Sequence, residues 1–413
     1  MAENKDKKVL NVPNKQEQQQ IRLSAAECEE FRPNGNVPNL RFPEFEGEWE
    51  ETRLKEISKF SKERLNSIEL SCSNYVTTEN MLQDYKGIVS ATNLPTNTNV
   101  VKFSKGDVLL SNIRPYLKKV WYADKNGGCS ADVFVFKALP ICDSNFLHHV
   151  IANDRFIKFV MGGAKGVKMP RGDKEQMITY KVGLPCIEEQ KKIANLLSLL
   201  DERISTQNKI IEDLKKLRSA IIEREYTFKV QTHSHIGDFI EQNSNRNKDN
   251  IIQNVLSVSN RQGFIRQREQ FEDRSIASDD TSNYKIVARN DFAFNPARIN
   301  VGSIARLTTF EKGIVSPMYI CFHTKNSILP EYLSFYFETK QFFSEIQKRL
   351  EGSVRQCLSY EGLCNIPFFP PVIEDQRRIG KRLFTLVQKF NLEMTFLEML
   401  QKQKTYLLRQ MFI

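Results

Sequence analysis

The side chains best suited to chemistry in this chain sit in four short, loop-like strings. They are SNIRPYLKK (111–119), KGVKMPRGDK (165–174), NPARIN (295–300) and EGSVRQ (351–356). Arg, Asn and Gln carry the paired donors and acceptors that read guanine and adenine edges, and Lys and Arg also take phosphates. The candidate nucleic-acid contacts are therefore Asn112, Arg114, Tyr116, Lys118, Lys165, Lys168 and Arg171 in the first half. In the second half they are Arg261, Asn295, Arg298, Asn300, Arg355 and Gln356. Arg261 belongs to a further basic string, SNRQGFIRQR (259–268), that has no counterpart in the first half. Motifs for catalysis are missing: there is no GxGxxG, no GxxxxGK[ST] and no Cys/His spacing for zinc. Asn295-Pro296-Ala297-Arg298 lacks the second proline and the aromatic residue of an adenine-methyltransferase motif. A binding protein is the better reading than an enzyme.

These loops must be held by something, and the chain names its supports twice. PCIEEQKKI (185–193) returns 186 residues later as PVIEDQRRI (371–379), with five of nine positions identical and three more keeping their charge. At the same offset Ser130, Phe136, Phe146 and Gly166 meet Ser316, Phe322, Tyr332 and Gly352. Upstream the offset is 184, pairing Asp107 with Asp291 and Arg114 with Arg298. A two-residue insertion in the second copy, between these blocks, explains the slip. A repeat this long is a domain plus a connector rather than a solenoid unit.

Each repeat should be mostly strands followed by a helix. Strands are expected at 88–94, 107–113, 118–123 and 132–139, and a helix over 145–161. The second half repeats the order with NVLSVS, DFAFNP, SIARL and MYICFHT, then a helix over 330–350. Two long helices follow, the first over 188–226, about 60 Å at 1.5 Å per residue. Their apolar positions recur three and four apart: Ile193, Leu197, Leu200, Ile204, Ile211 and Leu214, then Ile379, Leu383, Leu386, Phe390, Leu397 and Leu400. This heptad seam wants a partner helix, most simply the other copy, packed antiparallel. Polar breaks coincide in the two seams, Gln207 with Glu393 and Arg218 with Lys404. The fold class is α+β: two similar mixed α/β domains separated by two long antiparallel coiled-coil helices, with a pseudo-two-fold internal duplication. The divisions are a polar, disordered extension at 1–39, a first domain at 40–184, a helix at 185–228, a second domain at 229–370 and a second helix at 371–413.

The chain carries 60 basic and 50 acidic residues, a modest net charge of +10 that is compatible with nucleic-acid binding without requiring it. No run of eighteen apolar residues offers a membrane span, and the start lacks the apolar core of a signal peptide. Eight cysteines without a CxxC pair read as reduced thiols in a cytoplasm, and no metal site is expected.

NLRFPEFEGEWEE (39–51), GDVLLSNIRP (106–115), GVKMPRGDKEQM (166–177), VGLPCIEEQKKIANLLSLLDERI (182–204) and GSVRQCLSYEGLCNIPFFPPVIEDQRRI (352–379) together resemble the specificity (S) subunit of type I restriction-modification systems. The resemblance covers nearly all of the chain after about residue 38. It implies two target-recognition domains, each reading half of a bipartite, asymmetric double-stranded DNA site. It implies two helices that space the domains and dock two methyltransferase (M) subunits, with restriction (R) subunits in the full complex. S-adenosylmethionine, ATP and Mg would then sit on those partner subunits, and this chain would bind none of them. The alternatives are a stand-alone adenine-specific DNA methyltransferase, or a coiled-coil scaffold without a DNA role. The difference between 164–173 (AKGVKMPRGD) and 352–362 (GSVRQCLSYEG) is expected if the halves read different sequences.

Overall fold

The computed structural model describes residues 35–166, 168–227, 234–260, 262–267, 280–352 and 356–413. The chain divides into two compact units, 1–207 with 396–413 and 208–395. Each unit thus holds one strand-rich domain, the first half of the helix that follows it and the last half of the helix from the other repeat. This division cuts both long helices rather than setting them aside as connectors.

In the first unit the strands are β1 (Glu50–Arg53), β2 (Ser58–Phe60), β3 (Arg64–Asn66), β4 (Tyr75–Val76), β5 (Asn99–Phe103), β6 (Val108–Ser111), β7 (Val120–Tyr122), β8 (Gly127–Cys129), β9 (Val133–Ala138) and β10 (Lys181–Leu184). They form sheets ordered β2-β9-β6-β7 and β3-β5-β8-β4, and an antiparallel β1-β10 pair. Strand β6 is apolar at successive positions because both faces of its sheet are covered. Val108 and Leu110 pack with Phe146 and Phe156 of the helices, while Leu109 joins Phe103 and Trp121 of a separate core. Residues 88–94, expected as a strand, make only an isolated bridge, Met81 with Ile88. Val89 is half exposed and no second strand runs beside it.

The second unit repeats the plan with β11 (Ile240–Asn243), β12 (Val255–Ser259), β13 (Gly263–Arg266), β14 (Lys285–Ala288), β15 (Phe292–Phe294), β16 (Ile304–Arg306), β17 (Lys312–Val315) and β18 (Ile320–Thr324). Sheet β11-β18-β15-β16 matches β2-β9-β6-β7 strand for strand. The register matches too: Val108 faces Phe136 as Phe292 faces Phe322, and Val108 faces Tyr122 as Phe292 faces Arg306. The second sheets share an unusual parallel pair, β4 with β8 and β12 with β17. Val101 faces Cys129 as Lys285 faces Val315. The two-residue insertion therefore lies between β16 and β17. Gly127 and Gly313 hold the same place because a β-carbon there would meet the Asn74 carbonyl oxygen at 2.1 Å, or the Leu256 side chain at 2.4 Å.

The helices expected over 145–161 and 330–350 are each two. They are α1 (Ser144–Ile151) and α2 (Asp154–Gly162) in the first unit, then α4 (Pro330–Tyr336) and α5 (Lys340–Gln347) in the second. Asn153 caps α2 by accepting from the Arg155 N–H, and Thr339 caps α5 by accepting from the Phe342 N–H. A buried cap oxygen ends one helix and starts the next while the apolar spacing continues across it.

Helix α3 (Ile187–Glu225) and helix α6 (Ile373–Gln410) are each continuous. The repeated motif is explained at their starts. Gln190 is buried; its Oε1 accepts the Asp143 N–H, and its Nε2 donates to the Ile141 and Pro185 carbonyls. Gln376 does the same with the Leu329 N–H and the Ser327 and Pro371 carbonyls. Every partner is displaced by 186 residues. In both copies the glutamine staples the long helix to the loop that starts α1 or α4. Ahead of α3, Arg41 makes two hydrogen bonds of 2.8 Å to the buried Glu189, which fastens the chain's entry into the first unit.

The seam is occupied as its periodicity requires. Ile193, Leu197, Leu200, Ile211, Ile379, Leu383, Leu397 and Leu400 are buried, and Ile204, Leu214, Leu386 and Phe390 half-buried. Within the second unit Lys215 lies over the Phe390 ring and Glu225 pairs with Arg382, so the helix segments there run antiparallel. The coincident polar positions are partnered. Lys404 pairs with Asp201 in the first unit and Arg218 with Glu338 in the second; Gln207 is buried and Glu393 half-buried.

Each domain is closed by the end of the helix from the other repeat. Phe412 stacks on Phe146 at 5.3 Å, and Tyr226 stacks on Tyr332 at 4.6 Å while donating its hydroxyl to the Tyr332 carbonyl. These pairs again differ by 186. Phe412→Ala should therefore lower unfolding stability by about 3–5 kcal/mol, as for other buried aromatics. Tyr406→Ala, on the exposed face of the same helix, should cost less than about 0.5 kcal/mol. Denaturant titration of the two variants checks this; equal effects would remove the aromatic plug from the account.

Candidate nucleic-acid interface

Two loops meet at one end of each unit. The first follows β6 or β15. It is launched by a tight turn in which Asp107 accepts the Ser104 N–H and Asp291 accepts the Ala288 N–H, so these aligned aspartates shape backbone. In the first unit the loop then holds Arg114 and Lys118 at φ of 52° and 54°, a left-handed backbone that non-glycine residues rarely adopt. In the second unit Arg298 lies at φ −133° instead, followed by Gly302 at +88°.

The second loop is a small hairpin. Lys165 and Arg171 exchange both backbone hydrogen bonds, as do Glu351 and Cys357, again 186 apart. Its first turn residue is Gly166 or Gly352, at φ +93° or +102°, where a side chain would be strained. Backbone bonds tie hairpin to loop in both units. Arg114 N–H donates to Pro170 and Gly172 N–H to Asn112, while Leu358 N–H donates to Pro296.

The first unit therefore brings Arg114, Tyr116 and Lys118 beside Lys165, Lys168 and Arg171. Lys165, Lys168 and Arg171 are exposed, Tyr116 is 48% exposed, and Arg114 and Lys118 are half-buried. Their charges are not all available. Lys118 sits 2.8 Å from Asp154, Lys165 2.6 Å from Asp173, and Arg171 3.5 Å from Asp132. Burial raises the Asp154 carboxyl, but hydrogen bonds from Lys118 and Tyr85 prevail and hold it below the usual range. Lys165 pulls Asp173 down in the same way. Among the described residues Lys168 makes no ion pair. The Asn112 side-chain oxygen is shut away from solvent.

In the second unit Arg298 and Gln356 are exposed and Asn300 is half-buried. Asn295 is buried, its Oδ1 accepting the Ala297 N–H, so it shapes the loop. Arg261 and Arg355 lie outside the described residues. One neighbouring segment escaped the reading of the sequence, and another lies in a string already singled out there. Asp84 and Tyr85 donate backbone hydrogen bonds to Leu117 and Lys118, and the Asn260 side chain donates to the Val301 carbonyl. Asn260 lies inside the basic string 259–268; nothing local marked Asp84 and Tyr85.

A second surface lies on the helices, beside the seam. Leu199, Phe396, Met399 and Tyr406 are exposed in the first unit, and Ile210, Leu217, Phe384 and Leu392 in the second. In the first unit a groove of about 680 Å³ is lined by Leu196, Leu199, Arg203, Phe396, Gln403 and Leu407. Apolar side chains exposed on this scale mark interaction surfaces. Among the described residues no three His, Cys, Asp or Glu side chains converge as metal ligands, and no helix is long and apolar enough to cross a membrane.

Residues 46–216 match the family model of the type I restriction modification DNA specificity domain. The type I restriction enzyme MjaVIII specificity subunit of Methanocaldococcus jannaschii is 29% identical over 212 residues, 49% of this chain and 48% of that one. The match thus spans about half the length of that relative. Among solved structures, the type I restriction-modification system S subunit from M. genitalium is similar at a TM-score of 0.59 and 16% identity, over 91% of this chain and 99% of that one. A chain from a study of complex assembly and conformational transition of the type I R-M system gives 0.50 and 17%, over 87% and 96%. At these identities the structural likeness speaks for the fold.

Proposed function

We propose, from a chain that carries a type I restriction-modification DNA specificity domain, that this protein is the sequence-reading subunit of a type I restriction-modification complex. Each unit reads one half of a bipartite double-stranded DNA site with its loop and hairpin. One observation carries the reading: the same two-loop frame occurs in both units, held by equivalent backbone bonds, with different side chains at its tips. A shared frame with diverged tips suits two readers of different sequences. Arginine and glutamine at the tips supply base-edge contacts, and the lysines supply phosphate contacts.

The chain itself performs no chemistry in this reading. Two methyltransferase subunits dock on the exposed apolar side chains of the helices and bring S-adenosylmethionine and the pocket for a flipped adenine. Restriction subunits bring ATP and Mg. Such a complex works where its DNA is, in the bacterial cytoplasm.

Continuous helices of fixed length make a ruler for the unread gap. Adding four residues to each helix, after Asn208 and after Leu392, adds about one turn of 5.4 Å. Against about 3.4 Å per base pair, the gap should grow by about one or two base pairs while both half-site sequences stay the same. Mapping modified adenines checks this, and an unchanged gap rules the ruler out.

A further inference from the structure

A further repeated element is the four-residue turn that leads into β9 or β18. Val133 N–H donates to the Ser130 carbonyl at 3.1 Å, and Tyr319 N–H donates to the Ser316 carbonyl at 3.0 Å, 186 residues on. In the first unit this turn belongs to the reading end. Asn112 N–H donates to the Asp132 carbonyl at 2.8 Å, and the Asp132 carboxylate lies 3.5 Å from Arg171 of the hairpin. In the second unit β15 and β18 pair up to Phe294 with Ile320, so the turn enters the sheet where the chain leaves it for the Arg298 loop. The frame is the same and the tip is not: Met318 stands where the first unit has Asp132. Tyr319 fastens the turn from inside. It is buried, and its hydroxyl accepts the Val258 N–H at 3.3 Å. Pro317 presets the backbone just before Met318. Met318 is thereby held at the tip, 56% exposed. A lone exposed methionine is ordinary on a protein surface. This one is set apart by its place in a repeated frame whose other copy touches both the Arg114 loop and the hairpin.

We infer that the Ser316–Tyr319 turn is a third reading element of the second unit, and that Met318 reads a thymine through its C5-methyl group. The inference rests on the DNA-reading function proposed above. A thioether is apolar, flexible and polarizable, and at best a weak hydrogen-bond acceptor. The apolar feature that the major groove presents is the thymine methyl, which sets a thymine apart from the other bases. At the equivalent place Asp132 is a carboxylate engaged with Arg171, so the first unit does not offer this apolar contact. The second half-site therefore depends on a thymine methyl at a position where the first half-site does not.

The test uses the full chain assembled with its methyltransferase partner. Mapping modified adenines gives the bipartite site. Competition binding then compares sites in which each thymine of the second half is replaced in turn by uracil, which lacks only the methyl group. With wild type, one replacement should weaken binding about fourfold, the worth of one buried methyl group. With Met318→Ala the same replacement should cost nothing, and with Met318→Leu, which keeps an apolar tip, it should still weaken binding. Met318 is exposed, so both variants should fold. Replacements in the first half should act alike on all three proteins. A second half-site without thymine, or uracil effects that are the same in wild type and Met318→Ala, overturns this inference and leaves the function standing. Absence of any bipartite site in wild type overturns both.

Discussion

Gln376→Leu should cost the second unit about 3 kcal/mol, and Gln190→Leu the first unit the same, roughly 6–12 °C in melting temperature for units of this size. The reason is what each amide leaves behind. Without Gln376 the Leu329 N–H and the Ser327 and Pro371 carbonyls lose their partner, in a place where the amide is only 1% exposed. Leucine fills the volume and offers none of the bonds, so the loss is one of hydrogen bonding. The neighbouring Glu189 and Asp375 do not share this equivalence. Glu189 holds Arg41, whereas Asp375 pairs with Arg378 on its own helix. Asp375→Ala should therefore cost less than about 1 kcal/mol, as exposed pairs do. Thermal melts of the three variants decide it. Similar small losses for all of them would mean that the repeated glutamine is not the staple.

The second large effect is on recognition. Arg298→Ala should weaken discrimination at one position of one half-site by about 1–3 kcal/mol, a factor of roughly 5 to 150. The opposite half-site should be unaffected. Arg114→Ala should do the converse. Arg298 is exposed and follows a loop held by the buried Asn295, so its loss leaves the frame intact. Arg298→Lys keeps the charge but loses the planar fork, so it should retain affinity and lose discrimination. Competition binding of the assembled complex on sites altered in one half measures this. Equal loss at both halves, or none, removes these arginines from the reading role.

Much of this arrangement was legible because the chain is written twice. The 186-residue offset that aligns the helix starts also aligns Gly166 with Gly352 and Phe146 with Tyr332, and these became the hairpin turns and the aromatic seats. The offset also reached further than periodicity alone suggested. Tyr226 and Phe412 stand at equivalent positions, which fits each helix end closing the other repeat's domain, but nothing local marks either residue as a plug. The breaks at Asn153 and Thr339 were hidden because a capping side chain can interrupt a helix without disturbing its apolar spacing. The strand expected at 88–94 failed because β propensity needs a neighbouring strand, and residues 77–89 instead fold back on the Arg114 loop. Which basic side chains are neutralised was also out of reach. The pairing of Lys118 with Asp154 joins residues 36 apart through the packing of α2.

The most direct measurement is a map of modified adenines in DNA from cells carrying this chain with its cognate methyltransferase. The expected result is one asymmetric sequence in two specified halves. Their centres should lie about one helical turn, roughly 10 base pairs, apart, with modification lost when the chain is omitted. A single uninterrupted target, a symmetric one, or modification that persists without this chain would contradict the account.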